Sequence, residues 1–553
     1  MKFGQIVLRR SLLACAITCC TIPAFAAPPE HANAKRMAIQ PAAAPYDKQA
    51  AKAERKAYHD WLVSERLPAA SRNPLIARAT DEQIAAVDGA PKQSPEIVGF
   101  TQDVGFEPAI RDVKLSRLRS GSQTLKYGAI KGTADGGYVY TAELSAPGAL
   151  ALRVQFAGFN LPAGAAVYLY TTDGQVFGPY AGKGPLGTGV FDSNTVLSDT
   201  LTLQLRQLGP ASQKSLHETS FRIAGLGHIR PRLLQGQCDY NASCVESAAC
   251  TSSSVVNEAE DAVALMLYRS GGSYYICSGG LINDDDTSNN LPLFLTANHC
   301  IRRDREASSL ENFFQFKSDA CGNTDECEWT LSNLPDTPRT IGSSIVSTGT
   351  AADYTLLRLA QAAPNGSAFL GWNATPVAFT NGFDLYRISH PGGAPQSYSR
   401  HDVDAGAPTC SSWPRGPRIY SRDAVGATEG GSSGSPVVNT AGEIVGQLSG
   451  ACGTALNDEC NTEDNATVDG AFASYFGAVE QFLDPDGGPG CTVTENPEVS
   501  CSDGNDNDCD GDTDGADSNC GTGGGLPLGS PCNVNADCAS NNCKGKPGAK
   551  VCK

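Results

Sequence analysis

Gly430-Gly-Ser-Ser-Gly-Ser-Pro436 is the stretch that decides the fold. Its glycines let the backbone turn sharply around two serines. Two upstream stretches supply partners for those serines. Phe294-Leu-Thr-Ala-Asn-His-Cys300 ends an apolar run on a histidine, and Ala352-Asp-Tyr-Thr-Leu-Leu357 opens another with an aspartate. A serine hydroxyl is a poor nucleophile unless a base takes its proton and a carboxylate orients that base. The order along the chain is His, Asp, Ser. Unrelated folds place these three groups in different chain orders, so the order itself speaks to topology.

Each piece has a plainer reading. A Gly-Ser stretch is usually a flexible turn, a buried histidine beside a cysteine is usually structural, and an aspartate before a strand is usually a cap. Their conjunction assigns Ser433 as nucleophile, His299 as base and later acid, and Asp353 as the group fixing the imidazole tautomer. The amides of Gly431 and Ser433 are the expected oxyanion donors; loss of one such stabiliser typically costs ~3–4 kcal/mol of barrier. His-then-Asp-then-Ser is the order of the chymotrypsin-type double β-barrel.

Composition sets the frame. The chain has 553 residues, too many for a single core. Lys2, Arg9 and Arg10, an apolar run from Ser11 to Phe25 and Ala24-Phe25-Ala26 read as a signal peptide over 1–26. No later stretch reaches the length of a membrane span, so a secreted protein is expected, extracellular or periplasmic in transit. Of 21 cysteines, three lie in the signal peptide, and every other one lies between Cys238 and Cys552. In an exported chain this placement argues for disulfides. The net charge of −17 is unevenly spread: residues 484–523 hold nine Asp, two Glu and no Lys or Arg. No basic patch suggests a nucleic-acid partner.

The chain divides by pattern. Residues 27–94 are Ala-, Lys- and Arg-rich with helical spacing over Lys48–Leu67, a loosely packed helical leader. Residues 95–232 carry short strands at 137–144, 150–156, 166–170 and 201–205 separated by turns, which predicts a β-sandwich. Residues 233–485 are again strand-rich, ending in a helical run at Phe472–Leu483. Residues 486–526 are Asp/Gly-rich and cannot build a core. Residues 527–553 form a small four-cysteine module. The predicted fold class is all-β: a chymotrypsin-like double β-barrel preceded by a β-sandwich-like propeptide and followed by small disulfide-rich modules.

Gln237 to Asp484 resembles the bacterial lysyl endopeptidase group of trypsin-like serine proteases. The matching stretches include Cys277-Ser-Gly-Gly-Leu-Ile-Asn283, Phe294–Cys300, Asp353-Tyr-Thr-Leu-Leu357, Ile388-Ser-His-Pro391, Thr428–Pro436 and Val445-Gly-Gln-Leu448. The resemblance implies endopeptidase activity with no metal or cofactor in catalysis, acting on protein or peptide substrates as a monomer. It also implies disulfides Cys277–Cys300, Cys244–Cys321 and Cys238–Cys452, leaving Cys250, Cys327, Cys410 and Cys460 open. Trypsin's pocket-floor aspartate is replaced here by Ala427. The group instead carries an aspartate after the pocket wall, here Leu448-Ser449-Gly450. Asp469 and Asp464 are the candidates, with Asp469 preferred, and the alternative is an ordinary loop acid. The group's histidine after Gln-Leu is Ser449 in this chain. A basic P1 residue, Arg or Lys, is therefore the expectation, without strict Lys selectivity.

Ser432 stands where trypsin has the aspartate that pairs with its new N-terminus, so that activation switch cannot operate. Maturation is expected to remove residues 27–232 by cleavage at Arg232-Leu233. In the acidic tail, Asp506, Asp508, Asp510, Asp512, Asp514 and Asp517 alternate about Gly511 at calcium-loop spacing. The segment resembles the Asp-rich, Cys-containing metal-binding repeats of bacterial surface proteins, and Ca2+ is its candidate ligand. The alternative is a solvated acidic linker. The rival reading of the whole chain is a catalytically inactive, protease-like adhesin or binding protein.

Overall fold

The computed structural model describes residues 35–67, 73–91, 95–118, 121–231, 241–284, 291–321 and 334–484, and the short hairpin Cys543–Lys546 with Ala549–Cys552. From residue 254 to residue 484 the chain forms two closed β-barrels. In the first, Val263–Ser270 pairs with Ser273–Leu281, which pairs with Leu293–Ala297, then Tyr354–Leu359. The ring continues through Ser343–Gly349 and Arg339–Ile341, one strand bent at Gly342, to Glu311–Phe314 and back to Val263–Ser270. In the second, Asp384–Ser389, Ser397–Val403, Arg418–Val425, Asn465–Ala471, Glu443–Gly453 and Pro436–Val438 close the same way. In sequence order both rings run first, second, third, sixth, fifth, fourth. One topology is thus used twice, and the predicted double barrel is present.

Alternating apolar residues drive this closure. Met266, Phe294, Leu356 and Phe314 fill the first barrel, and Leu385, Ile419, Val437 and Val445 the second. The helix Phe472–Leu483 then packs across them, its Tyr475 ring stacked 4.0 Å from Tyr354. Its limits are those predicted.

The N-terminal sandwich also matches its prediction. One sheet holds Tyr138–Ser145, Thr200–Gln207, Ala165–Tyr170 and Val176–Ala181. The other holds Ala151–Asn160, Ser220–Ile229 and Glu96–Phe106. Tyr138, Leu203, Phe156 and Phe221 are among the residues packed between them.

Two features were not expected. First, Glu96–Phe106 pairs antiparallel with Ser273–Leu281, so one sheet runs from the sandwich into the first barrel. Beside this seam an ionic cluster built on the buried Asp192 and Glu311 joins the two units. Asp192 accepts from Arg269 and Tyr274, and Glu311 accepts from the Thr195 amide and hydroxyl and from Arg339. Second, the leader is not loose throughout. Lys48–Ser64 and Asp81–Asp88 are helices, but Arg36–Met37 is a strand on Gly371–Asn373. Lys35 pairs with Glu480 and Asp484, and Arg36 with Glu443.

Among the disulfides, Cys277–Cys300 forms as the resemblance implied. The other two do not. Cys244 joins Cys460, Cys250 joins Cys321, and Cys410 joins Cys452. The reason is proximity: these pairs bring their Cα atoms to 5.7, 4.5 and 5.9 Å, inside the range a disulfide can span. Each sulfur bonds once, which excludes Cys244–Cys321 and Cys238–Cys452. Cys238 and Cys327 lie outside the described residues. No helix among the described residues is long and apolar enough to cross a membrane.

Candidate active site

His299 follows the strand Leu293–Ala297, where the Cys277–Cys300 bridge ties the next residue to the neighbouring strand. Asp353 precedes the strand Tyr354–Leu359, which pairs with the His299 strand. Strand pairing therefore brings the two groups together. His299 Nδ1 donates to Asp353 Oδ2 at 2.8 Å, and the His299 backbone amide donates to Oδ1 at 2.9 Å. Both carboxylate oxygens are thus committed to one residue, which fixes the ring and its tautomer. His299 Nε2 makes no hydrogen bond among the described residues.

Asp353 has φ +56°, a left-handed conformation uncommon outside glycine. Gln447 holds it there, its amide donating to the carbonyls of Ala352 and Asp353 at 2.9 and 3.1 Å. Tyr475 donates to the Gln447 Oε1 at 2.6 Å. Gly470 makes room for this clamp: a Cβ there would lie 1.9 Å from the Ala352 carbonyl. Gln447 and Tyr475 had no role assigned from sequence, although Gln447 sits in the quoted Val445–Leu448 motif.

Ser433 is placed by its backbone. Its carbonyl accepts from the Ser278 amide at 2.8 Å and lies 3.7 Å from Cys300 Sγ, one residue from His299. Across the same turn Gly434 N donates to the Leu448 carbonyl, and Leu448 N donates to the Ser435 carbonyl. Gly431 has φ +96°, and an added Cβ would meet the His390 carbonyl at 2.7 Å. Its own carbonyl accepts from Ser278 Oγ. Ser432 is buried, its hydroxyl bonded to Ser389 and to the Glu429 amide, so neutral hydrogen bonds hold the turn.

His390 lies inside this assembly, stacked on Phe316 with Nδ1 bonded to the Ala394 carbonyl. Burial pushes its imidazole down to about 4. The folded protein therefore binds this proton less readily than the unfolded chain. Stability from keeping His390 neutral is fully present above pH ~6.5 and lost as pH falls towards 4, on the order of 3 kcal/mol. Urea unfolding between pH 7 and pH 4 should show this loss, and His390→Asn should flatten it.

The specificity candidates are not where they were expected. Asp469 is wholly buried, and its Oδ1 lies 2.6 Å from the equally buried Arg387. That guanidinium, which also donates to the Ser435 carbonyl at 3.0 Å, already neutralises it. Asp469 is thus an internal brace under the nucleophile turn and not a pocket-floor charge. Asp464 is exposed on a turn, bonded to Asn461. Of the expected wall, Leu448 faces the interior, Ser449 accepts from Arg418, and Gly450 packs against Trp413. Asp469→Ala should destabilise the protein by about 3–5 kcal/mol, because Arg387 is left buried and unpaired. The double change Arg387→Met with Asp469→Leu should recover most of that in a denaturant midpoint.

A cavity of about 200 Å3 lies beside His299, lined by Cys300, Arg302, Tyr268, Tyr275 and, from the sandwich side, Pro95. Asp506, Asp508, Asp510, Asp512, Asp514, Asp517 and the cleavage bond at Arg232 lie outside the described residues.

Comparison with known proteins supports a serine protease. Residues 234–469 match the family described as lysyl endopeptidase, C-terminal domain. A lysyl endopeptidase from Pseudomonas aeruginosa is 29% identical over 333 residues, covering 58% of this chain and 69% of that protein. Over this domain the chain is lysyl endopeptidase-like. Among solved structures, the active form of the Rv3671c protease from M. tuberculosis is 16% identical, with a TM-score of 0.28 over 43% of this chain and 90% of that one. The HtrA-type protease AlgW with tripeptide is 15% identical, with a TM-score of 0.29 over 41% and 62%.

Proposed function

We propose that this serine protease is a secreted endopeptidase that cleaves after basic residues and is made with an N-terminal propeptide. The observation that carries the catalytic part is the doubly anchored His299–Asp353 pair beside the Ser433 turn. In this reading Ser433 attacks the peptide carbonyl and His299 Nε2 takes its proton. Asp353 steadies the imidazolium while the amides of Gly431 and Ser433 hold the oxyanion, and His299 then returns the proton to the leaving amine. Water repeats the sequence to release the acyl group.

The sandwich is the proposed propeptide. The shared sheet, the Asp192 and Glu311 cluster and the placement of Pro95 beside His299 all support a unit that covers the catalytic domain before cleavage. Disulfides across the catalytic domain fit an oxidising, extracellular destination. The calcium reading of Asp506–Asp517 rests on spacing alone, and calcium titration of the full chain against a chelated control tests it.

The experiment is to express the full chain with export and treat it with a fluorophosphonate. Labelling at Ser433, with turnover of Lys- or Arg-ending peptides, is the expected result. An unlabelled, inactive but folded protein would establish the inactive binding-protein reading instead.

A further inference from the structure

The three reacting groups are split between the barrels. His299 and Asp353 flank paired strands of the first, and Ser433 precedes the strand Pro436–Val438 of the second. Their alignment therefore depends on how one barrel is set against the other. In the second barrel, Arg418, Gly470 and Gln447 lie side by side in one register row across three strands. Residues directly opposite in antiparallel strands turn their side chains to the same face. Two long polar side chains thus flank a glycine, and the row forms a notch.

The turn 350–353 of the first barrel sits in that notch. The Ala352 carbonyl comes in over Gly470, where a Cβ would lie 1.9 Å from its oxygen. On one side Gln447 donates to the carbonyls of Ala352 and Asp353. On the other, Arg418 Nη2 donates to the Thr350 carbonyl at 3.4 Å. The Asp353 carbonyl also accepts from the Asn298 amide at 3.0 Å, so it receives one bond from each barrel. Tyr475 donates to Gln447 Oε1, which turns the NH2 of that amide towards the two carbonyls.

Arg418 is costly to keep there. Its side chain is buried, Nε has no hydrogen-bond partner, and it forms no ion pair among the described residues. Its other contacts are the Ser449 hydroxyl at 2.8 Å and the Trp413 ring. The carboxylates whose charge reaches it are those of Asp353 and Asp469, and Asp469 is already neutralised by Arg387. A desolvated cation without its own carboxylate is destabilising. The turn it holds accounts for its position.

We propose that Gln447 and Arg418 are positioning residues of this protease, a clamp from the second barrel on the turn 350–353 that sets His299 and Asp353 against Ser433. Gly470 is the notch of the clamp and Tyr475 the lock on its amide. The inference rests on the endopeptidase reading above and adds the residues through which the second barrel acts on the base. They act through Asp353: a small shift of its turn moves the imidazole that it anchors twice.

The test measures kcat and KM for Gln447→Met, Arg418→Met and Gly470→Ala, each alone and combined with Asp353→Asn. All are exported as the full chain and compared with wild type at equal chain mass. Gln447→Met keeps the side-chain length but removes both donors, and should lower kcat by about 10- to 100-fold with KM within about threefold. Arg418→Met should cost about tenfold in kcat, and Gly470→Ala about 100-fold, because its methyl displaces the Ala352 carbonyl. In the Asp353→Asn background each should change the residual kcat by less than about threefold, since the group being positioned is gone. A merely structural role would cost the same factor in both backgrounds, and that result overturns the proposal. Unchanged kcat in a folded Gln447→Met enzyme overturns it too. If Gln447→Met fails to fold, Tyr475→Phe decides, because it keeps the ring stacked on Tyr354 and removes only the hydroxyl. Its kcat should fall by about 3- to 10-fold, and only where Asp353 is present; no fall overturns the clamp. Absence of fluorophosphonate labelling and of turnover in the wild type is a different failure, that of the endopeptidase reading on which the clamp depends.

Discussion

Ser433→Ala is expected to lower kcat by about 10^6-fold, with KM little changed. Nothing else near the turn can substitute for the hydroxyl. Ser432 is buried and bonded to Ser389 and the Glu429 amide, and Ser435 is held by Arg387. The fold should be indifferent, because the interactions that place residue 433 use its backbone carbonyl on Ser278 and the neighbouring Gly434 amide on Leu448. Equal thermal midpoints with no turnover of a Lys-ending chromogenic peptide is therefore the predicted pair of results. Turnover within tenfold of wild type would place the nucleophile elsewhere. In the same expression, a variant chain that keeps its full mass while wild type is shortened would assign the processing cut to the enzyme itself.

Asp353→Asn should cost about 10^4-fold in kcat. Asp353 accepts twice from His299, once from the ring and once from the backbone. An asparagine keeps one acceptor but presents an NH2 as its other group. If that group faces Nδ1, the ring must carry its proton on Nε2, and Nε2 can then no longer accept from a serine. Stability should change little, because asparagine tolerates the φ of +56° found here at least as well as aspartate does. An Asn variant within tenfold of wild type, at equal stability, would mean that the pair does not orient the base.

What could be read from sequence followed from local chemistry. Gly430–Pro436, the Phe294–Cys300 run and Ala352–Leu357 each sit on or beside a strand of the expected topology, and the helix Phe472–Leu483 has the limits its periodicity gave. The site's supports were harder to see because they are made by register. Gln447 reaches Asp353 only after Glu443–Gly453 aligns with Asn465–Ala471, and a bulge between Leu448 and Gly450 shifts that alignment. Asp469 is a further case: strand alternation turns it inward onto Arg387, a pairing that only the register of Asn465–Ala471 reveals. The cysteine partners failed on distance, since loops that are remote in sequence bring Cys244 to Cys460.

The sheet that joins the sandwich to the first barrel has a consequence for the order of assembly. Glu96–Phe106 and its partner Ser273–Leu281 are separated by most of the sandwich, so a chain folding on its own terms closes that contact late. A chain delivered from its N-terminus completes the sandwich first. The hydrogen-bonding edge of Glu96–Phe106 then stands ready when residue 273 arrives, and the first hairpin of the barrel can be laid down on an existing template. If the sandwich is removed as proposed, no such template remains. A catalytic domain denatured after that cut would have to rebuild its barrel without the edge on which the original was formed.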